Sequence, residues 1–179
     1  MPDAKCKNDM VLNLGCGNRH LDGAINLDRI PEVNPDVVHD LDKFPWPFEE
    51  NRFNEVYAND VIEHCSDVVA TMEEIHRVSR DGAVVRVTTP HFSSANSFID
   101  PTHRYHFSYF SFHYFTGEHD FDFYSDKRFR RRAAQIIFYP TFTNKLIWRI
   151  ANRYPQAYEK RWTWMFPAWF LNFELEVVK

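Results

Sequence analysis

Two glycines and a downstream carboxylate are the first residues of this chain whose spacing has the chemistry of a ligand site. Gly15 and Gly17 follow the apolar run Val11–Leu14, and Asp28 ends a second apolar run that begins at Ala24. Glycine has no Cβ, so the main chain can approach a ligand closely at these positions. An acidic side chain at the end of the next strand can accept hydrogen bonds from both hydroxyls of a ribose. The pattern therefore predicts a nucleoside site at the carboxyl ends of two parallel strands.

The distance between these residues separates two classes of nucleotide cofactor. A dinucleotide site has a third small residue where this chain has His20, and its acid lies about twenty residues further on. Only about ten residues separate the two predicted strands, and Asp22-Gly23 favours a turn among them. The first helix is therefore expected to span one or two turns, too short to cradle a pyrophosphate. The spacing favours S-adenosylmethionine, which carries no phosphate.

The hydrophobic pattern extends these two strands into an α/β fold. Apolar and alternating runs predict strands over 11–14, 24–28, 36–39, 55–59, 83–89, 133–139 and 171–177. Helical spacing of apolar and aromatic residues predicts helices over 60–80, 107–115 and 143–154, the second of which ends at a loop at Thr116-Gly117. Strands that alternate with helices indicate a largely parallel sheet.

Further motifs follow in order along residues 10–90. They are Leu14-Gly15-Cys16-Gly17, Asp28, Asp40-Leu41, Phe44-Pro45-Trp46-Pro47-Phe48, Asn51-Arg52-Phe53-Asn54-Glu55-Val56, Glu63-His64 and Glu74-Ile75-His76-Arg77-Val78. This series resembles the class I S-adenosylmethionine-dependent methyltransferases, and most closely the small, type 11-like group with a shortened first helix. The resemblance implies a Rossmann-like, seven-stranded, mostly parallel sheet with helices on both faces. It also implies that the last strand is antiparallel, and here an aromatic, helical insertion precedes that strand.

The resemblance also implies which residues bind the cofactor, S-adenosyl-L-methionine. Asp28 is expected to hold the ribose, Asp40 the exocyclic amine of adenine, and Leu41 the adenine ring. Asp60 could be a further ligand or only the cap of the helix predicted after it. The predicted cofactor-binding residues are Asn13, Leu14, Gly15, Cys16, Gly17, Asp28, Asp40, Leu41, Asn59 and His64.

Histidines and an acid follow the fifth predicted strand. His91 comes directly after the strand, and Asp100, His103 and His106 follow within one loop. Histidine titrates near neutral pH, so His91 or His103 could take a proton from an acceptor hydroxyl, and Asp100 could orient one of them. Packing as ordinary aromatic side chains is the alternative. We predict that His91, His103 and Asp100 are catalytic.

The same residues could instead bind a metal ion. His91, Asp100, His103 and His106 offer the nitrogen and oxygen donors that zinc or another divalent ion takes. His103 and His106 are three residues apart, but no second close pair of ligands accompanies them. The sequence alone therefore predicts no metal site.

Basic and aromatic residues concentrate in the last third of the chain. Residues 127–161 contain ten Lys and Arg against one acidic residue, whereas residues 1–126 contain ten against twenty-two. Such an insertion could form a lid or a homodimer surface, contact an anionic membrane face, or bind nucleic acid. Nucleic acid ranks last because no known binding motif accompanies the basic residues.

Length and cysteine usage predict a single domain over residues 1–179. Residues 10–90 would form the cofactor-binding half, 91–125 the acceptor segment and 141–170 the aromatic, basic insertion. Three cysteines, Cys6, Cys16 and Cys65, without a C-x-x-C pair favour a reducing cytoplasm. No apolar run has the length of a membrane span or the features of a signal peptide. We expect a cytoplasmic protein, and peripheral contact at the inner membrane face through 141–170 is an alternative to the default use of this segment as a lid or dimer surface.

These observations predict a methyltransferase that uses S-adenosylmethionine to modify an oxygen or nitrogen atom. The expected acceptor is a small molecule, a sugar or a lipid-linked compound, because the C-terminal third is both aromatic and basic. Two alternatives stay open. One is a nicotinamide-dependent oxidoreductase on a similar sheet, and the other is a methyltransferase-like, non-catalytic partner subunit.

Overall fold

The computed structural model describes residues 10–117, 125–141 and 144–179. The predictions that involve Cys6 and Thr143 lie outside these residues, as does the part of the predicted acceptor segment at 118–124.

A seven-stranded sheet forms the centre of the molecule. Its strands are β1 (Val11–Leu14), β2 (Ile25–Asp28), β3 (Val37–Val38), β4 (Phe53–Asn59), β5 (Ser79–Pro90), β6 (Arg128–Ile137) and β7 (Phe170–Val178). Their order across the sheet is β3-β2-β1-β4-β5-β7-β6. Neighbours from β3 to β5 are parallel, whereas β7 runs antiparallel to both β5 and β6. The predicted Rossmann-like sheet with an antiparallel last strand is confirmed.

The described helices are shorter than the sequence pattern predicts. They are α1 (Val68–Val78), α2 (Asn96–Ile99), α3 (Asn144–Arg153) and α4 (Pro155–Arg161). The helix expected over 60–80 starts late because the Asp67 side chain caps α1, accepting a hydrogen bond from the Ala70 amide at 2.9 Å. It ends early because Ser79 pairs with Phe53 and begins β5. In place of the helix expected from residue 107, the described residues form a 3-10 turn at Ser111–Phe115.

The connection between β1 and β2 has no helix in the part of the chain that the structure describes. Residues 15–24 form turns, and two buried amide side chains lie beneath them. Asn13 Nδ2 donates to Asn26 Oδ1 at 2.9 Å and to the Arg19 carbonyl at 3.0 Å. Asn26 in turn accepts from the Leu21 amide at 2.9 Å. The main chain of a helix bonds within itself, so this amide pair suits a turn rather than the short helix that the sequence predicts.

The two faces of the sheet differ in polarity. One face is apolar, and helix α1 packs against the apolar core through Met72, Ile75 and Val78. On the other face of β4 and β5, Tyr57 and Arg86 are half-buried among polar neighbours. Side chains alternate along a strand, so each of these strands contributes to both faces. The apolar core therefore lies on the α1 side of β4 and β5.

We expect Asn26→Leu to lower the free energy of unfolding by about 2 to 3 kcal/mol, because the Leu21 amide and Asn13 would lose a buried partner. Urea denaturation followed by circular dichroism measures the change. The control is Asn172→Leu on the exposed side of β7, which should stay within about 0.5 kcal/mol of the wild type. Equal effects of both substitutions would contradict a structural role for the amide pair.

Candidate cofactor and acceptor site

A cavity of about 260 Å³ opens at the carboxyl ends of β1 and β2. This is the edge at which open α/β sheets bind ligands. Five of the predicted cofactor-binding residues line it, namely Gly15, Asp28, Asp40, Leu41 and His64. The sequence analysis did not select Arg29, Ile30, Val61, Cys65 or Thr102, which also line it.

Gly15 is the residue that lets the turn after β1 pack closely against Val61. Its φ is +56°, and a Cβ at this position would lie 2.3 Å from Val61 Cγ2. Any side chain would therefore be strained and would clash, so only glycine fits. Gly17 has a φ of +46° but open space around it, and its amide donates to Asp28 Oδ2 at 2.8 Å.

Asp28 lines the cavity and keeps the capacity to bind a ligand. Its Oδ2 accepts from Gly17, and its Oδ1 accepts from the Ile30 amide at 2.9 Å. Each carboxylate oxygen has two lone pairs, so each can accept one further hydrogen bond. A ribose diol needs this pair of acceptors.

Asp60 is the residue whose role the sequence left open, and the structure places it at the cavity. It does not cap a helix, since α1 is capped by Asp67. Its φ is +53°, its Oδ2 forms an ion pair with Arg19 at 2.9 Å, and its Oδ1 is buried with no hydrogen-bond partner among the described residues. A buried acceptor without a partner is costly, so a polar ligand group beside it would be favourable.

The other predicted cofactor-binding residues lie away from the cavity lining. Asn13 is buried under the loop between β1 and β2, and Leu14 is part of the apolar core. Cys16 is buried, and burial raises the pKa of its thiol. Asn59 lies beside Tyr57 in a depression on the polar face of the sheet, because alternation along β4 puts Ala58, not Asn59, on the apolar face.

His91 is buried completely and does not line the cavity. Its Nδ1 accepts from the Ser93 amide at 3.1 Å, so the proton is on Nε2, which donates to Glu159 Oε1 at 3.2 Å. The same Glu159 oxygen accepts from the Tyr109 amide at 2.6 Å. These bonds connect the tip of β5 with α4. Because both ring nitrogens of His91 are hydrogen-bonded within the protein, neither is available to a methyl acceptor.

Asp100 orients a histidine, but that residue is His64 rather than His91 or His103. Asp100 Oδ1 accepts from the Thr102 hydroxyl at 2.7 Å, and this hydrogen bond holds the pKa of Asp100 below its usual value. The Thr102 oxygen lies 2.9 Å from His64 Nδ1. Because the hydroxyl proton goes to Asp100, His64 Nδ1–H donates to Thr102.

His103 lies next to His64, with 4.6 Å between the ring centroids. Its Nδ1 is 3.2 Å from the Ser97 carbonyl and donates to it. Glu63 lies beside both rings and is 1% exposed, and this burial raises the pKa of its carboxyl to about 7. His106 is directed elsewhere, toward Ser97 Oγ and the ring of Phe98.

The sequence and the fold both have counterparts among known proteins. Residues 22–87 match the family model of a methyltransferase domain, and no curated protein matches the sequence. An S-adenosylmethionine-dependent methyltransferase from Archaeoglobus fulgidus is 14% identical with a TM-score of 0.62, over 93% of this chain and 85% of that one.

Two further solved structures have the same fold. A methyltransferase of Haloferax volcanii, solved in complex with the Trm112 methyltransferase activator, is 16% identical with a TM-score of 0.57, over 96% of this chain and 83% of that one. An S-adenosylmethionine-dependent methyltransferase from Mesorhizobium loti is 14% identical with a TM-score of 0.56, over 96% of this chain and 92% of that one.

This chain has the fold of the S-adenosylmethionine-dependent methyltransferases, and residues 22–87 match a methyltransferase-domain model. The solved structures establish the methyltransferase fold, and the family match covers the segment that carries Asp28, Asp40, Leu41 and His64. The cavity fits the cofactor, because Gly15 leaves space for the turn, Asp28 keeps free acceptor positions and Asp60 has a buried oxygen without a partner. The family match favours a methyltransferase over the nicotinamide-dependent oxidoreductase considered from the sequence.

We expect Gly15→Ala to destabilise the protein by about 3 kcal/mol, since both the positive φ and the contact with Val61 oppose a methyl group. Gly17→Ala, which meets only the conformational cost, should lose about 1 kcal/mol. Thermal unfolding measures both values. The double variant Gly15→Ala/Val61→Ala should recover part of the loss, and strict additivity of the two substitutions would show that the contact does not matter.

Proposed function

We propose that the chain transfers a methyl group from S-adenosylmethionine to an oxygen or nitrogen atom of a small-molecule, sugar or lipid-linked acceptor. The observation that carries this proposal is the cavity where Gly15, Asp28, Asp40 and Leu41 meet at the carboxyl edge of the sheet. Asp28 would accept from the ribose hydroxyls, Asp40 from the adenine amine, and Leu41 would pack on the ring. When bound, the cofactor supplies an electrophilic methyl group on a sulfonium.

The chain contributes mainly by positioning. Holding donor and acceptor in line, about 3 Å apart, can supply several kcal/mol of the barrier reduction. Of the residues predicted to be catalytic, His103 is the one whose ring lies against a residue that lines the cavity, His64. We therefore place the acceptor beside His64 and His103, with Asp100 acting through Thr102 as a positioning residue. His91 is assigned a structural role, because its nitrogens bond to Ser93 and Glu159.

Asp28→Asn should weaken S-adenosylmethionine binding by at least 10-fold, because one of the two acceptor oxygens becomes a donor. Isothermal titration calorimetry measures the affinity, and circular dichroism checks folding. Asp81→Asn, at the start of β5 and far from the cavity, is the matched control and should bind as the wild type. Unchanged affinity in Asp28→Asn would contradict the ribose contact. A titration with NAD in parallel should give no binding.

His103→Ala should lower turnover by about 100-fold or more with little change in cofactor affinity, since the residue is placed at the acceptor. The measurement is release of S-adenosylhomocysteine with a panel of sugars, sugar phosphates and lipid-linked sugars. His106→Ala is the control, because His106 contacts Ser97 and Phe98 instead. Wild-type turnover in His103→Ala with the best acceptor would remove this residue from the site. Absence of release with every acceptor would favour the non-catalytic alternative.

We further propose that the C-terminal insertion contacts an anionic membrane surface. Large apolar side chains are exposed there, above all Trp164 at 74% and Met165 at 65%. Basic residues of α3 and α4 accompany them, namely Lys145, Arg149, Arg153, Lys160 and Arg161. Tryptophan with lysine and arginine is the combination typical of membrane interfaces. No helix of the described residues has the length and hydropathy to cross a bilayer.

Trp164→Ser/Met165→Ser should abolish binding to vesicles that contain anionic lipid, and added salt should weaken binding of the wild type. Cosedimentation measures both effects. Deleting 141–170 would be a poor test, because Tyr158, Thr163 and Ala168 are buried in the fold. Light scattering on the wild type and on the same variant tests whether this surface instead forms a homodimer. The membrane proposal would be overturned if the wild type were a dimer that does not bind vesicles and the variant were a monomer.

A further inference from the structure

Three residues that are distant in sequence come together at the rim of the cavity. Glu63, His64 and His103 each offer one donor atom, and these atoms lie within 4.8 Å of one another. Glu63 and His64 belong to the 3-10 turn at Ile62–His64. Two imidazole nitrogens and one carboxylate oxygen are a donor set that zinc and related divalent transition metals take.

The Glu63 carboxylate points to a missing ligand. The residue is 1% exposed, and neither carboxylate oxygen has a hydrogen-bond partner of good geometry among the described residues, although the Thr89 hydroxyl and the Asp60 carboxylate lie near it. Burying a carboxylate without a partner costs free energy unless the group is neutralised or binds a cation. In keeping with this cost, burial raises the pKa of Glu63 to about 7.

Hydrogen bonds to Nδ1 fix the tautomer of both histidines. His64 Nδ1–H donates to Thr102, which donates to Asp100, and His103 Nδ1–H donates to the Ser97 carbonyl. The lone pair of each ring is therefore on Nε2, for which the described residues provide no hydrogen-bond partner. Histidines that bind metal commonly donate their other N–H to a carboxylate, a carbonyl or water in this way.

Main-chain hydrogen bonds fix the two segments against each other. The Glu63 carbonyl accepts from the Arg104 amide at 2.8 Å, directly after His103, and the His64 amide donates to the Val61 carbonyl at 3.0 Å. The donor atoms are thus brought together by the fold of the protein itself. Ligands about 2.1 Å from a tetrahedral ion lie about 3.4 Å apart, so small side-chain rotations would close the site.

We propose that Glu63, His64 and His103 bind a divalent transition metal ion, such as zinc, next to the cofactor cavity. Three protein ligands leave a fourth position of a tetrahedral ion open. His64 and Thr102 line the cavity, so an acceptor oxygen entering it could occupy that position. This last step rests on the proposed methyl transfer, whereas metal binding itself does not. Binding to the metal ion would lower the pKa of an acceptor hydroxyl, so the hydroxyl could lose its proton without a histidine base.

The test is a titration of tag-free, chelator-treated protein with zinc, followed by calorimetry and thermal unfolding. We expect one zinc per chain and a rise in the unfolding temperature. Glu63→Gln, His64→Ala and His103→Ala should each weaken zinc binding by at least 10-fold, and Thr102→Val by about 10-fold. Cobalt in place of zinc should give visible d–d absorption that the three ligand variants lack.

The controls separate this site from adventitious binding and from the cofactor. His106→Ala keeps all three ligands and should bind zinc as the wild type, and magnesium should not compete. Sub-stoichiometric zinc in the wild type, or equal affinity in the three ligand variants, would overturn the proposal. Glu63→Gln preserves the shape of the side chain, and His64→Ala provides a second variant if the first unfolds. Calorimetry with S-adenosylmethionine is run on the same samples, so loss of the metal site and failure of the methyltransferase proposal give different results.

Discussion

The hydrogen bond between the Gly17 amide and the Asp28 carboxylate closes the ligand-binding edge of this protein. It joins the turn after β1 to the end of β2, so the two strands present one continuous surface. The turn reaches this position because Gly15 takes a positive φ beside Val61, where a side chain would not fit. Asp60 follows β4, which is the neighbour of β1 in the sheet, and adds a buried carboxylate oxygen to the same cavity. The hydrogen bond from Gly17 therefore joins the turn after β1 to the Asp28 carboxylate, and Asp60 adds a second carboxylate to the same cavity.

The connection after this turn shows how a methyltransferase sheet can lose a helix and keep its ligand edge. The paired amides of Asn13 and Asn26 satisfy the main chain of the loop, which a helix would otherwise satisfy internally. The turn still delivers Gly17 to Asp28. A cofactor without phosphates has no need of a helix N-terminus at this point. The shortened connection and the nature of the cofactor are therefore consistent with each other.

The strands and the nucleoside edge could be predicted because their signals are local. Apolar runs bounded by glycine and aspartate mark β1 and β2, and the order of motifs marks the family. Helix ends were harder, because the choice between Asp60 and Asp67 as the cap depends on tertiary contacts. Asn59 and Asp60 are adjacent, yet the alternation of β4 directs Asn59 to the polar face while Asp60 lines the cavity. The exact residue at which β4 ends decides which of these two side chains reaches the cavity. The spacing of motifs in the sequence does not show where that end lies.

The side chains beside the acceptor were the least predictable. His91 and His103 have the same chemistry in the sequence, but one is buried against Glu159 and the other lies against His64. Glu63 gave no signal beyond its place in a motif, because nothing local indicates that a charged residue will be 1% exposed. The link from Asp100 through Thr102 to His64 joins positions that only the fold brings together.

The buried bond between His91 and Glu159 has a mechanical consequence. It links α4 to the tip of β5, and the same Glu159 oxygen also accepts a hydrogen bond from the Tyr109 amide. The insertion is therefore joined to the segment that follows β5 through the carboxylate of Glu159. Loss of the Glu159 carboxylate would remove a hydrogen-bond partner from both His91 and Tyr109 at once.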